Sequence, residues 1–598
     1  MNNLSHKKNY QKNQKILYIS DLKSVEKIRK KLSRHRFIYQ IEASKLISVS
    51  FKVEQIKPQN FQIFSSLINL LSFSSELEEF SLSVFSYKIE RKQFIELLIR
   101  IFSLNIRKSF QFSAPNLSFT KEIMGYFTKF LITSYRHLTV LDLDFTLNKF
   151  GDDGIGIFGL GIVNFKVLQS LKLNFNHCKM KGMGLTTLLT NMKALKQLIN
   201  LELNCQGINR LSQNFQETYL VFLKLMKSLT SLKMIKLDFS DNYLGPECIL
   251  KTILLFLKNS YFDNIQKISL DLKKNCTSRL WETFESLNLP LLSKKKYDKY
   301  LESFELNLKA NSIGDSNFRH FYDVLIHFKG MKDVILNLSD NKLKQFRSNL
   351  FFIFGSIGHN LSLESFEMDV TGSQSILFQN FSINGDHLPN LESLHSLILK
   401  SNLPKIMKIE RVFSNFLRKF QNLKKCQIFI PQTDKLEAEG IIFLFDSITL
   451  MKKLKTLNIE FSCNHFGEED YSKIIDKLKI LENLENLRMA LRTDYSSPLR
   501  ENFVKLLSIR SFCKKLMNLD LVARKEDHQD QKFKRDLKFV GSCFLKENIF
   551  LKVEEFEDIS SIFSKKKSFF LVAYVLKKQL KLFFKRNLII SEILEFYI

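Results

Sequence analysis

The amino-acid sequence predicts an α/β fold, a solenoid in which one strand and one helix repeat along the chain. Two observations lead to this prediction: an 11-residue pattern recurs through most of the sequence, and each copy is followed by apolar residues at helical spacing. The composition agrees with a folded chain, since 45% of the 598 residues are hydrophobic and 25% are charged. Gly and Pro, at 19 and 8 residues, are too few for a loop-rich or collagen-like protein.

Five copies of the pattern are close in sequence. Residues 138–148 read LTVLDLDFTLN, and residues 301–311 read LESFELNLKAN. The other close copies are residues 232–242, 331–341 and 454–464. Weaker copies begin near Leu77, Leu168, Leu198, Ile265, Leu363, Leu394, Leu423, Leu484 and Leu516, at intervals of about 30 to 36 residues. The gap of 61 residues after Leu77 is twice this period, so a degenerate copy is expected near Phe110 and Phe112.

Each copy combines a strand with a helix. Within the pattern, apolar residues alternate at period two, as a strand with one buried face requires. The apolar residues that follow share one helical face, which predicts an amphipathic helix. One such set is Phe94, Leu97, Leu98, Ile101 and Phe102. A second helix is expected to begin at Pro246, with Ile249, Leu250, Ile253, Leu254 and Leu257 on its apolar face.

These residues resemble the leucine-rich-repeat pattern L-x-x-L-x-L-x-x-N/C-x-L in its long ribonuclease-inhibitor type, and residues 311–315 (NSIGD) are the closest match. The resemblance covers about residues 44–530. It implies a horseshoe of roughly 15 or 16 units, with a parallel β-sheet on the concave face and helices on the convex face. Residues 1–43 would form a basic N-terminal cap or arm, and residues 531–598 would form C-terminal capping helices. Large families of such proteins are typical of ciliated protozoa.

The resemblance implies a fold and leaves the function open. Proteins of this repeat type include enzyme inhibitors, GTPase-activating proteins, immune sensors and actin-capping factors. Within the pattern, the asparagine position is expected to be structural, because its side-chain amide would satisfy backbone groups of the turn in the solenoid interior. The residues at this position are Asn148, Cys178, Asn242, Asn275, Asn311, Asn341 and Asn464.

Two rows of strand residues are expected to point into the concave face. The first row holds only Asp and Asn, namely Asp144, Asn174, Asn204, Asp238, Asp271, Asn307, Asn337 and Asp369. The second row holds Asp142, Lys172, Glu202, Lys236, Ser269, Glu305, Ile335 and Glu367. Eight acids stand against two lysines in the two rows, so this face should repel nucleic acid and suit a basic protein or peptide.

The candidate partner-binding residues are Asp142, Asp144, Glu202, Asp238, Asp271, Glu305, Asn307, Asn337, Glu367 and Asp369. The sequence also allows a simpler interpretation, in which Asp and Asn are tolerated at solvent-facing strand positions without a partner. From Lys400 onward the first row changes to Phe429, Glu460, Ala490 and Val522, which would suit a more apolar contact.

Positive charge is concentrated outside these rows. The chain has 90 Lys and Arg against 61 Asp and Glu, a net charge of +29, which favours anionic partners, although AT-rich codons would also raise the lysine content. Two basic patches are candidates for contact with RNA, namely Lys27, Arg29, Lys30, Lys31, Arg34 and Arg36 near the N-terminus and Lys577, Lys581 and Lys585 near the C-terminus. The favoured interpretation of both patches is a capping helix, solvated at the first patch and closing the open end of the solenoid at the second, and the second patch is also compatible with a membrane surface.

The sequence gives no support for catalysis, a cofactor or a metal site. Gly154, Gly156 and Gly159 spell G-x-G-x-x-G, but their place in the repeat indicates an ordinary turn into a helix. Walker, H-E-x-x-H and G-x-S-x-G motifs are absent, and the 11 histidines have no ligand spacing. The eight cysteines lie at least 27 residues apart, which fits neither a disulfide framework nor a zinc ribbon.

The expected function is non-catalytic protein–protein interaction, as a scaffold or adaptor with its partner on the concave face. The first alternative is an RNA-binding ribonucleoprotein component that uses the basic termini, and a remote one is a small-GTPase regulator. The first 20 residues lack an apolar signal segment and no apolar stretch of about 18 residues follows. A reducing cytoplasmic or nuclear compartment and no membrane span are therefore expected. The oligomeric state is not predicted.

Overall fold

The computed structural model describes sixteen strands and seven helices, with the turns next to them. The described residues are 48–53, 65, 68–69, 71–72, 77–84, 91–208, 215–245, 248–249, 252–253, 264–276, 301–314, 330–343, 362–372, 391–401, 414, 417–430, 438–462, 468–492, 513, 515–516 and 518–521. The chain divides into two compact units, residues 1–432 and residues 433–598.

The first unit contains a parallel sheet of thirteen strands, which pair in chain order. The strands are β1 Ser48–Val53, β2 Glu79–Val84, β3 Ser109–Ser113, β4 Val140–Asp144, β5 Ser170–Asn174, β6 Asn200–Asn204, β7 Met234–Asp238, β8 Lys267–Asp271, β9 Ser303–Asn307, β10 Asp333–Asn337, β11 Ser365–Asp369, β12 Ser396–Lys400 and β13 Lys425–Ile430. Register is kept from strand to strand: Leu141 lies beside Leu171, and Leu171 beside Leu201. The predicted α/β repeat solenoid is confirmed, and its series of parallel strands and helices is consistent with a leucine-rich-repeat-like solenoid.

Five helices of this unit connect successive strands. They are α1 Arg91–Phe102, α2 Lys121–Tyr135, α3 Gly151–Ile162, α4 Gly182–Met192 and α5 Phe215–Ser228. The predicted apolar face of α1 is confirmed, since Phe94, Leu97 and Leu98 are among its buried residues. Thr120 begins α2, where its hydroxyl accepts a hydrogen bond from the Ile123 amide at 3.5 Å.

The core lies between the helices and one face of the sheet. Alternate strand side chains are buried, as Leu141 and Leu143 in β4 illustrate. Phe112 of β3 packs against Phe127 of α2, with ring centroids 5.4 Å apart. Neighbouring repeats stack equivalent rings, and Phe145 lies parallel to Phe175 at 6.1 Å. The opposite face of the sheet carries the alternate, less buried side chains, and we call it the open face.

The glycines of α3 bring neighbouring helices close together. A Cβ at Gly159 would lie 3.1 Å from Leu188 Cα in α4, and a Cβ at Gly161 would lie 2.3 Å from Thr128 Cγ2 in α2. The G-x-G-x-x-G string therefore serves helix packing, with Gly154 and Gly159 both buried inside the helix.

The second unit repeats the same plan. It contains β14 Thr456–Ser462, β15 Asn486–Arg492 and β16 Asn518–Leu521, with helices α6 Ala438–Ile448 and α7 Glu468–Leu478. The three strands are parallel, and Leu457 pairs with Leu487, which pairs with Leu519. Across the described residues of both units, no helix combines the length and apolar character needed to cross a membrane.

Candidate functional site

The two rows of polar strand residues lie in register on the open face. Strand pairing places Asp144 beside Asn174, and the row continues without a shift to Asp369 in β11. The second row runs from Asp142 in β4 to Glu367 in β11 in the same register. Adjacent members belong to adjacent strands, which are about 4.8 Å apart, so each row forms one continuous line of side chains.

Each Asp or Asn of the first row also ends its strand. In seven of the eight, the side-chain Oδ1 accepts a hydrogen bond from the backbone amide two residues later, which makes an Asx turn. The pairs are Asp144 with Thr146 (3.1 Å), Asn174 with Asn176 (3.2 Å), Asp238 with Ser240 (2.9 Å), Asp271 with Lys273 (3.1 Å), Asn307 with Lys309 (3.1 Å), Asn337 with Ser339 (3.0 Å) and Asp369 with Thr371 (3.0 Å).

The eighth member, Asn204, departs from this arrangement. The amide of Gln206, two residues on, donates instead to Oδ1 of Asn176 in the preceding repeat, at 2.7 Å. Asn204 Nδ2 lies 3.4 Å from Glu202 Oε1. Because seven of its eight members form an Asx turn, the first row has a structural role that the sequence analysis did not predict. This role is sufficient to explain why each position holds Asp or Asn. The signal was available, since both residue types share the Oδ1 acceptor and recur directly before a turn.

The Asx turns explain the Oδ1 acceptors of the first row, but they do not require the negative charge of its Asp residues. Lys172 lies between Asp142 and Glu202, with N–O distances of 3.9 and 3.8 Å, and Lys236 lies 3.5 Å from Glu202. At the far end of the row, Lys400 Nζ lies 2.7 Å from Glu367. Ion pairs therefore neutralise much of the second row. By contrast, the described residues provide no ion pair for Asp144, Asp238, Glu305 or Asp369.

Burial and repulsion from neighbouring carboxylates raise the pKa of two carboxyl groups in the two rows, those of Asp142 and Asp271. Partial burial raises the pKa of Asp142; Glu202 and Asp144 raise it further and Lys172 opposes them. Partial burial also raises the pKa of Asp271, with a contribution from the charge of Asp238. The ionised form of both groups is therefore less favourable in the folded chain than in water, and a nearby cation would relieve this.

The asparagine position lies in the interior beyond the open face. Asn311 Oδ1 accepts from the amides of Asn275 and Cys276 at 2.7 and 3.0 Å, and its Nδ2 donates to the carbonyls of Leu272 and Leu308, both at 2.9 Å. The same cross-repeat bonding is made by buried Asn148, Asn242, Asn275 and Asn341. These amides join consecutive turns, with no remaining group directed to solvent.

Cys178 takes the asparagine position in its repeat, and its Sγ lies 2.9 Å from the carbonyl oxygen of Phe145. Burial raises the pKa of this thiol to about 12, so it is not a reactive thiolate. Among the described residues, no group of three or more His, Cys, Asp or Glu side chains is arranged to hold a metal ion.

Several predicted residues lie outside the described part of the chain. They are Asn464 and the two basic patches, Lys27, Arg29, Lys30, Lys31, Arg34, Arg36, Lys577, Lys581 and Lys585. Further along the first row, Lys400 pairs with Phe429 in register, as the sequence suggested for the change after β11.

Comparison with known sequences adds no assignment. No protein-family model matches the chain, and no curated protein matches it either. The function must therefore be argued from the open face itself.

Proposed function

We propose that this protein is a non-catalytic scaffold or adaptor of the leucine-rich-repeat class, in the ribonuclease-inhibitor type, which binds a basic protein segment on the open face of its first unit. The type is supported by the strand, turn and helix in each described repeat around α1 to α5. A rigid parallel sheet presents many side chains at once, which avoids the entropy cost of ordering loops on binding.

The proposal rests on the negative charge of three Asp side chains in the first row, which their hydrogen bonds to the turn do not require. Asp144, Asp238 and Asp369 each use Oδ1 for a turn, yet each keeps a full negative charge without a described ion pair. Asn serves the same turn at Asn174, Asn307 and Asn337. An extended segment with Lys or Arg at intervals would place cations against these carboxylates, which favours fast and selective association with basic partners.

The test separates charge from turn geometry. In the triple variant D144N/D238N/D369N, each new amide keeps the Oδ1 acceptor of the turn and loses the charge; at position 144 it also loses the Oδ2 atom that accepts from the Ser113 hydroxyl at 3.0 Å. We expect binding of a fluorescein-labelled 12-residue peptide of alternating Lys and Ser to weaken about tenfold, because three exposed charge pairs contribute roughly 0.5 kcal/mol each. The measurement is fluorescence anisotropy at 0.1 M salt with the full chain.

A matched control removes three exposed acids elsewhere. The variant D153N/E217Q/E392Q has the same net charge as the triple Asp variant, and its three positions are exposed and belong to neither row. Its peptide affinity should equal that of the parent. Equal affinity of the Asp variant and this control would refute the proposed binding face, because general attraction by net charge would then explain the binding.

A further inference from the structure

A second charged surface follows the sheet where its strands begin. It consists of the segments 103–109, 136–140, 163–170, 193–200, 229–234 and 264–267, which lead into β3 to β8, and we call it the strand-start edge. Backbone hydrogen bonds join consecutive segments: the Gln169 amide donates to the Thr139 carbonyl at 2.8 Å, and the Ile199 amide to the Gln169 carbonyl at 2.8 Å. The same bonding continues through Lys233 to Gln266, so the edge is continuous.

The charged residues of this edge all have the same sign. As described, the six segments contain eight Lys and Arg residues and no Asp or Glu, and Asp263 stands directly before the last segment, outside the described residues. They are Arg107, Lys108, Arg136, Lys166, Lys193, Lys196, Lys233 and Lys267, of which Lys193 is half-buried and the rest are exposed.

Three of these cations occupy one repeating position. Arg136, Lys166 and Lys196 each stand four residues before the first residue of β4, β5 and β6. Because these strands are neighbours in the sheet, the three residues occupy equivalent places in three successive repeats. They form a short, regular line of positive charge.

Little in the described structure neutralises this line. Lys108 lies 3.9 Å from Glu78, and Lys196 Nζ donates to the carbonyl of Ser228 at 3.1 Å, which satisfies one helix C-terminus. Arg136, Lys166 and the remaining cations of the edge make no ion pair with any described residue. Lysines on the open face differ, since Lys172 and Lys236 both contact acids there.

The absence of acids is local to these six segments, so codon bias does not explain it. In the following repeats the equivalent edge carries Glu302, Asp333, Glu364 and Glu392. A bias toward lysine codons would raise lysine throughout the chain and would not remove acids from one stretch of one edge.

The edge is also separated from the acidic row. The first row lies at the other end of five-residue strands, about 13 Å from the strand start, which exceeds the Debye length of about 8 Å at physiological ionic strength. The second row, at the middle residue of each strand, lies closer, and Lys172 and Lys236 neutralise part of its charge.

We propose that the strand-start edge binds the phosphodiester backbone of single-stranded nucleic acid, without sequence preference. A line of evenly spaced cations matches a polymer that carries one negative charge per nucleotide. Val167 is the exposed large apolar side chain in these segments, which is too little for the apolar centre of a typical protein interface. This site is distinct from the basic termini and from the proposed peptide-binding face.

The experiment measures binding of fluorescein-labelled oligo(U) of 20 nucleotides to the full chain between 0.05 and 0.3 M salt. The variant R136Q/K166Q/K196Q removes the regular line, and K129Q/K149Q/K224Q removes three exposed lysines away from the edge. For three phosphate contacts on a single strand, the slope of log K against log salt should become shallower by about 2 in the edge variant, and affinity at 0.1 M salt should fall about a hundredfold. The control variant should bind like the parent.

Three results would overturn the proposal. One is equal slopes for the edge variant and the control. Another is a parent chain that binds oligo(U) without a dependence on salt. The third is displacement of oligo(U) by poly-glutamate at equal charge concentration, because the edge would then prefer an acidic protein. Circular dichroism of each variant establishes that a lost slope reflects lost contact in a folded chain.

Discussion

The strands of the first unit carry different kinds of polar residue at their two ends. At their carboxyl ends, side chains such as Asp238 and Asn307 accept hydrogen bonds from turn amides. Just beyond them lie the buried asparagines that bond from repeat to repeat, Asn148, Asn242, Asn275, Asn311 and Asn341, which we call the asparagine ladder. At their amino ends, Arg136 and Lys166 extend into solvent without a described ion pair. The first set is required by backbone geometry, whereas among the three regularly spaced amino-end cations Lys196 donates to the Ser228 carbonyl and the other two have no described backbone partner.

This difference determines how the charged residues at each end of the strands can be interpreted. Asp and Asn alternate freely in the first row because both supply the acceptor that the turn needs. The presence of Asp rather than Asn is therefore the informative choice there. At the amino ends, Lys196 satisfies the Ser228 carbonyl at the end of a helix, but no described hydrogen bond or ion pair explains Arg136 or Lys166, so these two cations are informative.

The largest effect is expected where a carboxyl-end side chain is fully buried. In Asn311→Ala, the amides of Asn275 and Cys276 and the carbonyls of Leu272 and Leu308 lose a partner. The two carbonyls keep Asn275 Nδ2 and Asn341 Nδ2 as partners, but the two buried amides are left unsatisfied. At about 1 to 3 kcal/mol for each amide, we expect a loss of roughly 2 to 5 kcal/mol. Urea denaturation followed by circular dichroism measures it.

The matched control is Asn307→Ala, in the same repeat but on the open face. It removes the hydrogen bond with the Lys309 amide and one with Asp271, both at 3.1 Å and both accessible to water. Its cost should stay near 1 kcal/mol. Equal losses for the two variants would mean that the buried asparagines and the first row of the open face contribute equally to the free energy of unfolding, which would contradict this prediction.

Much of the fold could be predicted because its signals are local. Period-two alternation and the 11-residue pattern identify each strand from a short window, and the 61-residue gap after Leu77 identified β3 with its buried Phe110 and Phe112. The face of α1 followed from helical spacing alone. These predictions need only hydrophobic burial, which determines both periodicities.

The sites were harder to predict because they depend on relations between repeats. A row of Asp and Asn looks the same whether it serves turns, charge or both, and only the Oδ1 distances separate these roles. Arg136, Lys166 and Lys196 recur every 30 residues, a visible signal, but strand register is needed to show that they are neighbours.

A smaller effect concerns the pH dependence of stability. Because the pKa of Asp142 is raised in the folded state, the folded chain binds more protons than the unfolded chain above the ordinary pKa of about 3.8. Stability contributed by this group is therefore lost as pH rises from about 3.8 through the raised pKa. Asp142→Asn should be more stable than the parent at pH 7, and the difference should disappear toward pH 3. Urea midpoints across this range measure it.

Exposed Glu217, which belongs to neither row, provides the reference substitution, and Glu217→Gln should not reproduce the gain in stability that Asp142→Asn shows at pH 7. A parent that gains stability between pH 4 and pH 7 relative to Asp142→Asn would show that the carboxylate is favoured by folding. The open face around Asp142 would then lack the excess negative charge that a cationic partner is proposed to relieve.

The smallest effect compares two lysines around β5. Lys172, on the open face, contacts Asp142 and Glu202, and Lys166 stands at the strand-start edge without an ion pair. Lys172→Gln should cost about 0.5 kcal/mol, since partly exposed pairs contribute little, and Lys166→Gln should leave the urea midpoint unchanged. A measurable loss at Lys166 would assign that lysine a role in folding and would weaken the argument that the amino-end cations were selected for charge. No loss of stability at either position would mean that the ion pairs of Lys172 contribute nothing measurable to folding. Their carboxylates, Asp142 and Glu202, would then be as available to a partner as Asp144 and Asp238.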